Sequence, residues 1–89
     1  MRPPMAQRRR VDGAEQELRD RLARNVRARR EAAGLTLEEA AGRAGIAWRH
    51  WQKVEAAETS ATLRTLARLA KGLGCEPGDL LAPAASRRA

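Results

Sequence analysis

The sequence predicts an all-α fold, and three observations carry that prediction. The chain has 89 residues, 43% of them hydrophobic, yet no Phe, no Tyr and few β-branched residues, so its core must be Leu, Ala, Val and Ile with Trp48 or Trp51. Apolar residues recur at spacings of three and four, the period of a helix with one buried face. Finally, Asp12, Thr36 and Thr62 stand where helices would begin, and Gly34, Gly45 and Gly74 where they would end. A chain of this length holds one small domain, near the size at which a single core is just sufficient.

Residues 1–11, MRPPMAQRRRV, combine Pro3 and Pro4 with a triple-arginine run and almost nothing to bury. They are expected to form a disordered basic arm, with the domain proper over 12–82 and a flexible tail over 83–89. The arm reads equally as a solvated tail or as a segment that lies along phosphates.

The first helix is expected over about 13–33. Asp12 is its N-cap, with Glu15 placed for a capping box. Leu18, Leu22 and Val26 share the face predicted to meet the core, while Glu15–Arg19 and Glu17–Arg21 are i,i+4 pairs on the outside. A second helix, 37–44, starts at the capping box Thr36–Glu39 and presents Ala40, Ala41 and Ala44 as a face that a neighbour can approach closely. Gly45 supplies the left-handed residue for a sharp turn, and Ile46 pins that turn to the core.

The third helix, 47–56, is strongly two-faced. Measured from Trp48 at about 100° per residue, Gln52, Arg49 and Lys53 fall within about 140°. Ala47, His50, Trp51 and Val54 occupy the opposite arc. Trp51 and Val54 are therefore expected inside, and Trp48, Arg49, Gln52 and Lys53 outside. An exposed Trp among basic and amide side chains calls for an explanation. After a loop, Thr62 caps a fourth helix over 63–73, with Leu63, Leu66, Ala67, Leu69, Ala70 and Leu73 predicted as its core stripe. A short fifth helix over 77–82 opens on Pro77, with Glu76 and Asp79 at its positive end and Leu80 and Leu81 as its apolar content.

The net charge of +7 is unevenly placed. Residues 1–30 hold ten Arg against four acids, residues 31–82 six basic against seven acidic groups, and residues 83–89 two Arg. Such a balance suggests a polyanionic partner. The single Cys75 precludes an intrachain disulfide and fits a reducing cytoplasm. The sequence has no apolar run of the ~18 residues that would span a membrane, and no secretory signal follows the basic start. Nothing in it points to an enzyme, a cofactor or a metal: His50 is the lone histidine, and Cys75 reads as a small buried apolar residue rather than a reactive thiol.

With the helices placed, residues 22–81 resemble the lambda-repressor-like helix-turn-helix family, the Xre/Cro type of bacterial and phage regulators. The residues that carry the resemblance are Val26–Arg27 and Arg30, Gly34–Leu35–Thr36, Glu38–Glu39–Ala40–Ala41, Gly45–Ile46, Glu55, the series Leu63, Leu66, Leu69–Ala70 and Leu73–Gly74, and Leu80–Leu81. The resemblance implies a five-helix bundle in which the second and third helices form the helix-turn-helix. It also implies an ion pair between Arg30 and Glu55 that holds the third helix against the first.

The sequence departs from the family pattern at several positions. Leu37 stands where many relatives have a phosphate-contacting Gln, Ala47 where a capping Ser or Thr is usual, and Trp48 where a base-reading Gln is frequent. Ala57, Glu58 and Ala61 replace a common Gly, a basic residue and a Pro.

The function implied is sequence-specific binding of double-stranded DNA by a cytoplasmic transcription regulator of bacterial or phage origin, a repressor, acting as a homodimer on a two-fold operator. Trp48, Arg49, Gln52 and Lys53 are the candidates for base readout in the major groove. Thr36, Arg43 and Arg64, with Arg8, Arg9 and Arg10 of the arm, are the candidates for phosphate contact. Leu80 and Leu81 either close the core or meet a second copy. The competing reading is an antitoxin or adaptor of the same fold, whose exposed Trp48 plugs into a protein partner.

Overall fold

The computed structural model describes residues 11–84, and over these it is all-helical. Five helices follow in order: α1 (Gly13–Ala32), α2 (Leu37–Ala44), α3 (Trp48–Glu55), α4 (Leu63–Leu73) and α5 (Pro77–Leu80). Arg8, Arg9 and Arg10 lie outside the described residues, as do most of the expected arm and tail. Among the described residues, no helix is long and apolar enough to cross a membrane.

Side-chain caps explain where α1, α2 and α4 start. Asp12 accepts a hydrogen bond from the Glu15 amide at 2.8 Å, and Thr62 accepts one from Thr65 at 3.1 Å. The box at α2 is complete: the Glu39 amide donates to Thr36 Oγ1 at 3.0 Å, and the Thr36 amide donates to Glu39 Oε1 at 2.9 Å. Four ends differ from the sequence expectation. Helix α1 stops at Ala32, because Ala33 caps it and the next residue turns left-handed. Ala47 is the extended N-cap of α3 rather than its first residue, and Ala56 its C-cap rather than its last. Helix α5 ends at Leu80, two residues early, since Asn25 Nδ2 of α1 donates to the carbonyls of Leu80 at 2.9 Å and Ala82 at 3.0 Å. Pro83 also disfavours helical backbone at Ala82, so the chain leaves the helix before it.

Helix α2 packs on α4 and on α3, α3 also rests on α1, and α5 closes the end of the bundle against α1 and α4. Val26, Trp51, Val54, Leu69 and Leu80 are the largest fully buried side chains, joined by Leu22, Ala40, Ala41, Ala44 and Ala70. Leu80 thus closes the monomer's core, with Leu81 half-buried beside it. The α2–α4 contact is unusually close. A Cβ added at Gly72 would stand 2.9 Å from Ala44 Cβ and 3.0 Å from its Cα and N, so only glycine fits opposite that alanine.

Some expected core residues are not in the core. Leu63 is 84% exposed and Leu18 45%, and Ala67 is exposed as well. On α4 the buried arc runs through Thr65, Leu69 and Gly72, spaced i, i+4, i+7, which turns Leu63 and Ala67 to its edge. Leu63 is also the first residue of its helix, so its side chain leans back past the helix end instead of over a neighbour. Leu18 and Leu63 instead flank an apolar groove whose other walls include Leu22, Leu66 and Leu81. Cys75 is half-buried, and that partial burial pushes its thiol above the usual range, so it stays a neutral thiol.

Candidate nucleic-acid interface

The turn between α2 and α3 sets the working surface. Gly45 takes φ +73°, and the Ile46 amide reaches back to the Ala41 carbonyl at 3.1 Å, closing α2 while reversing the chain. Two residues later α3 begins, without a side-chain cap on its first turn. Its inner face is fixed by Trp51 and Val54, both fully buried. Its outer face carries Trp48, Arg49, Gln52 and Lys53, all exposed. Trp48 is 42% exposed, and the Arg49 guanidinium carbon lies 5.6 Å from the centre of its ring, within cation–π range.

The orientation of this face depends on one carboxylate at the end of α3. Glu55 receives Arg30 Nε at 2.6 Å and Arg30 Nη2 at 3.0 Å, a two-pronged pair in which both side chains are largely out of solvent. Trp51 Nε1, four residues earlier on the same helix, donates to it at 2.6 Å, and Arg27 Nε makes a longer contact at 3.4 Å. Arg30 Nη1 meanwhile donates to the Leu35 carbonyl at 2.9 Å, so one guanidinium ties α1, the α1–α2 turn and the end of α3 together. Burial alone would push the Glu55 carboxyl up, but donors from Arg30, Trp51 and Arg27 outweigh it and hold the group below the usual carboxylate range. The hydrogen bond to Glu55 raises Arg30 in turn. This cluster leaves α3 little freedom to rotate about its own axis.

The candidate phosphate-binding residues sit at helix ends around this face. Thr36 caps α2, and although its backbone amide is taken by Glu39, its hydroxyl proton remains free to donate. Arg43 lies in the last turn of α2 and Arg64 in the first turn of α4, both exposed. Among the described residues, Arg43, Arg49, Lys53 and Arg64 form no ion pair, whereas Arg19, Arg21, Arg27, Arg29 and Arg30 all do. Among the same residues, Arg24 of α1 and Arg68 and Lys71 of α4 are unpaired as well, so the free cations include every basic residue of the helix-turn-helix but are not confined to it. Glu58, just beyond α3, places one negative charge beside Trp48, Arg49 and Lys53 in the same shallow depression.

Reading the sequence missed three contributors. Periodicity predicts Trp51 as a core ring and nothing more, yet the i,i+4 spacing to Glu55 places its N–H on the carboxylate. Arg27 adds to the same carboxylate and donates to the Glu55 backbone carbonyl at 3.3 Å. Asn25, which holds the end of α5, carries no signal in a single sequence. Among the described residues, no group of His, Cys, Asp and Glu could hold a metal ion.

A family model described as a helix-turn-helix domain matches residues 21–84. Two solved structures are similar. One is a hypothetical transcription factor, NHTF, from Neisseria, with 33% identity and a TM-score of 0.74, covering 79% of this chain and 80% of that one. The other is the restriction-modification controller protein C.AhdI from Aeromonas hydrophila, with 27% identity and a TM-score of 0.67, covering 70% of this chain and 94% of that one. No curated protein matches.

Proposed function

Because the chain belongs to the helix-turn-helix domain family and is a DNA-binding regulator, we propose that it recognises a specific double-stranded site by laying the outer face of α3 in the major groove. The observation that carries this reading is the contrast across α3. One face is immobilised by Trp51, Val54 and the Glu55 cluster, and the other offers Trp48, Arg49, Gln52 and Lys53 with no intramolecular ion pair. A rigid helix with free donors is what base readout requires, since the geometry of a two-pronged contact tolerates little slack.

In this reading Arg49 pairs with guanine O6 and N7, Gln52 with adenine or a phosphate, and Lys53 with phosphate or a guanine edge. Thr36, Arg43 and Arg64 hold flanking phosphates and set the register. The protein acts as a repressor, in homodimeric form, on a two-fold operator. The groove flanked by Leu18 and Leu63 is the apolar surface on which a second copy can close. In-vitro selection from random duplex DNA tests the proposal directly. A palindromic site whose guanine preference is lost in Arg49→Ala supports it. Failure to enrich any sequence, or sites unchanged by Arg49→Ala, would remove α3 as the reader.

A further inference from the structure

Trp48 and Arg49 are the first two residues of α3, and the Arg49 guanidinium lies over the Trp48 ring within cation–π range. From this arrangement, and resting on the proposal that α3 lies in the major groove, we infer that the pair is one composite reader of a guanine with a 5-methylpyrimidine beside it. The protein is therefore sensitive to the pyrimidine methyl group itself. Thymine and 5-methylcytosine satisfy the contact, and unmethylated cytosine does not.

The chemistry follows from the two groups. A guanidinium lying over an indole keeps its in-plane N–H donors free, so Arg49 can still grip guanine O6 and N7 while the ring beneath restricts its rotamers. The indole is 42% exposed and has no hydrogen-bonding use for most of its edge, so it suits an apolar feature of the groove. The major groove offers one such feature, the methyl at C5 of thymine. Methylation of cytosine puts the same group at the same ring position. The spacing agrees: 5.6 Å between the guanidinium carbon and the ring centre lies between one and two base steps of about 3.4 Å. The methyl therefore belongs to a base pair one or two steps from the guanine.

The surroundings favour DNA over a protein as the partner of this Trp. Its exposed neighbours are Arg49, Gln52 and Lys53, two cations and an amide against the one carboxylate of Glu58, a net positive and polar rim that would sit poorly against an apolar protein surface. The large exposed leucines, Leu18 and Leu63, line a separate groove away from α3's outer face.

The test uses the full chain and the duplex recovered by in-vitro selection. At the pyrimidine flanking the guanine that depends on Arg49, four duplexes are compared: thymine, deoxyuridine, cytosine and 5-methylcytosine. Loss of one buried methyl predicts roughly three- to fourfold weaker binding for deoxyuridine than for thymine, and a similar gain for 5-methylcytosine over cytosine. Trp48→Ala, assayed below its own melting temperature so that the fold is intact, abolishes both differences. It also reduces the guanine preference of Arg49 by roughly two- to fivefold, the worth of an exposed cation–π contact. Equal binding of thymine and deoxyuridine duplexes, with the guanine preference still lost in Arg49→Ala, overturns the composite reader while leaving α3 as the recognition helix. Methyl dependence that survives in Trp48→Ala overturns the assignment to Trp48. If no site is selected at all, the prior reading fails and this inference fails with it.

Discussion

Glu55→Ala takes one carboxylate from a place where four donors converge. Arg30 would keep its bond to the Leu35 carbonyl but lose both prongs to Glu55, and the indole N–H of Trp51 would be left unpaired in a side chain with no solvent exposure. Removing one member of a buried ion pair costs about 3–5 kcal/mol, most of it the penalty of the stranded charge. The 74 described residues can be expected to hold a stability on the order of 4–11 kcal/mol, at about 0.05–0.15 kcal/mol each. The substitution should thus consume a large part of the whole. At about 4–8 °C per kcal/mol for a domain of this size, a thermal melt followed by circular dichroism should fall by at least about 12 °C. A fall of less than about 4 °C, or about 1 kcal/mol, would mean that the pair is solvated and does not hold α3 in place.

Glu55→Gln separates charge from shape, since the amide can still accept from Trp51 and Arg30. The carboxyl is held below its ordinary value in the folded protein, so its contribution is fully present above the unfolded value of 4.5 and is lost as pH falls through the lower, folded one. Arg30, already fully protonated, adds nothing to the slope in that window. The wild-type melting temperature should therefore decline more steeply below about pH 4.5 than that of Glu55→Gln. Parallel curves would show that another carboxylate governs acid unfolding.

Three further substitutions probe the frame. Gly72→Ala drives a methyl into the Ala44 backbone, and its overpacking cost of about 1–3 kcal/mol should exceed the helix-propensity gain of up to about 1 kcal/mol, giving a lower urea midpoint; an unchanged or higher midpoint would show that α2 can back away from α4. Ala57 holds φ +60° after α3, so Ala57→Gly should relieve left-handed strain and raise the melting temperature, by up to about 1 kcal/mol of stability once the unfolded chain's added freedom is counted; a loss of stability would contradict the strain. Asn25→Ala leaves the Leu80 and Ala82 carbonyls without their donor, which should cost about 1–2 kcal/mol and speed proteolytic trimming after Leu80, whereas unaltered cleavage would mean that apolar packing alone retains α5.

What could be read from the residues divides along physical lines. Helix number, order and the inward side of α3 were legible because caps and periodicity are local signals, and Trp51, Val54, Thr36 and Gly45 each act within one or two turns. The helix ends were less so. Helix α5 stops where Asn25 captures its carbonyls, and that partner lies 55 residues away in the chain. Leu63 and Leu18 misled because a leucine in helical register looks like core whichever way the helix is rolled, and only the packing of α4 on α2 fixes the roll. Gly72 gave no signal for a related reason. A glycine inside a helix is simply unfavourable until one knows that another backbone passes within 3.0 Å of its missing methyl. The outer face of α3 was legible as a candidate surface, but which bases it meets depends on a partner that no intramolecular contact reveals.

Charge supplies a last prediction about how the proposed binding divides between parts of the chain. Residues 11–84 carry twelve basic and eleven acidic side chains, a net of +1, so six of the seven net positive charges lie outside them. Several of the arginines inside are already occupied by carboxylates, Arg30 and Arg27 by Glu55 among them. If the helix-turn-helix selects the sequence with its few free cations, most of the sequence-independent attraction must come from elsewhere. Arg2, Arg8, Arg9 and Arg10 are the obvious source. Each phosphate they neutralise should contribute about 0.9 to the slope of log affinity against log salt, so removing residues 1–11 should reduce that slope by up to about 3.6. The selected site should stay the same, because base contacts from α3 are left intact and phosphate contacts carry no sequence information directly. Fluorescence anisotropy across a salt series, on the selected and on a scrambled duplex, measures both quantities. An unchanged slope would place the electrostatic attraction in the rest of the chain, Arg87 and Arg88 included, and a changed site preference would make the first eleven residues readers of sequence in their own right.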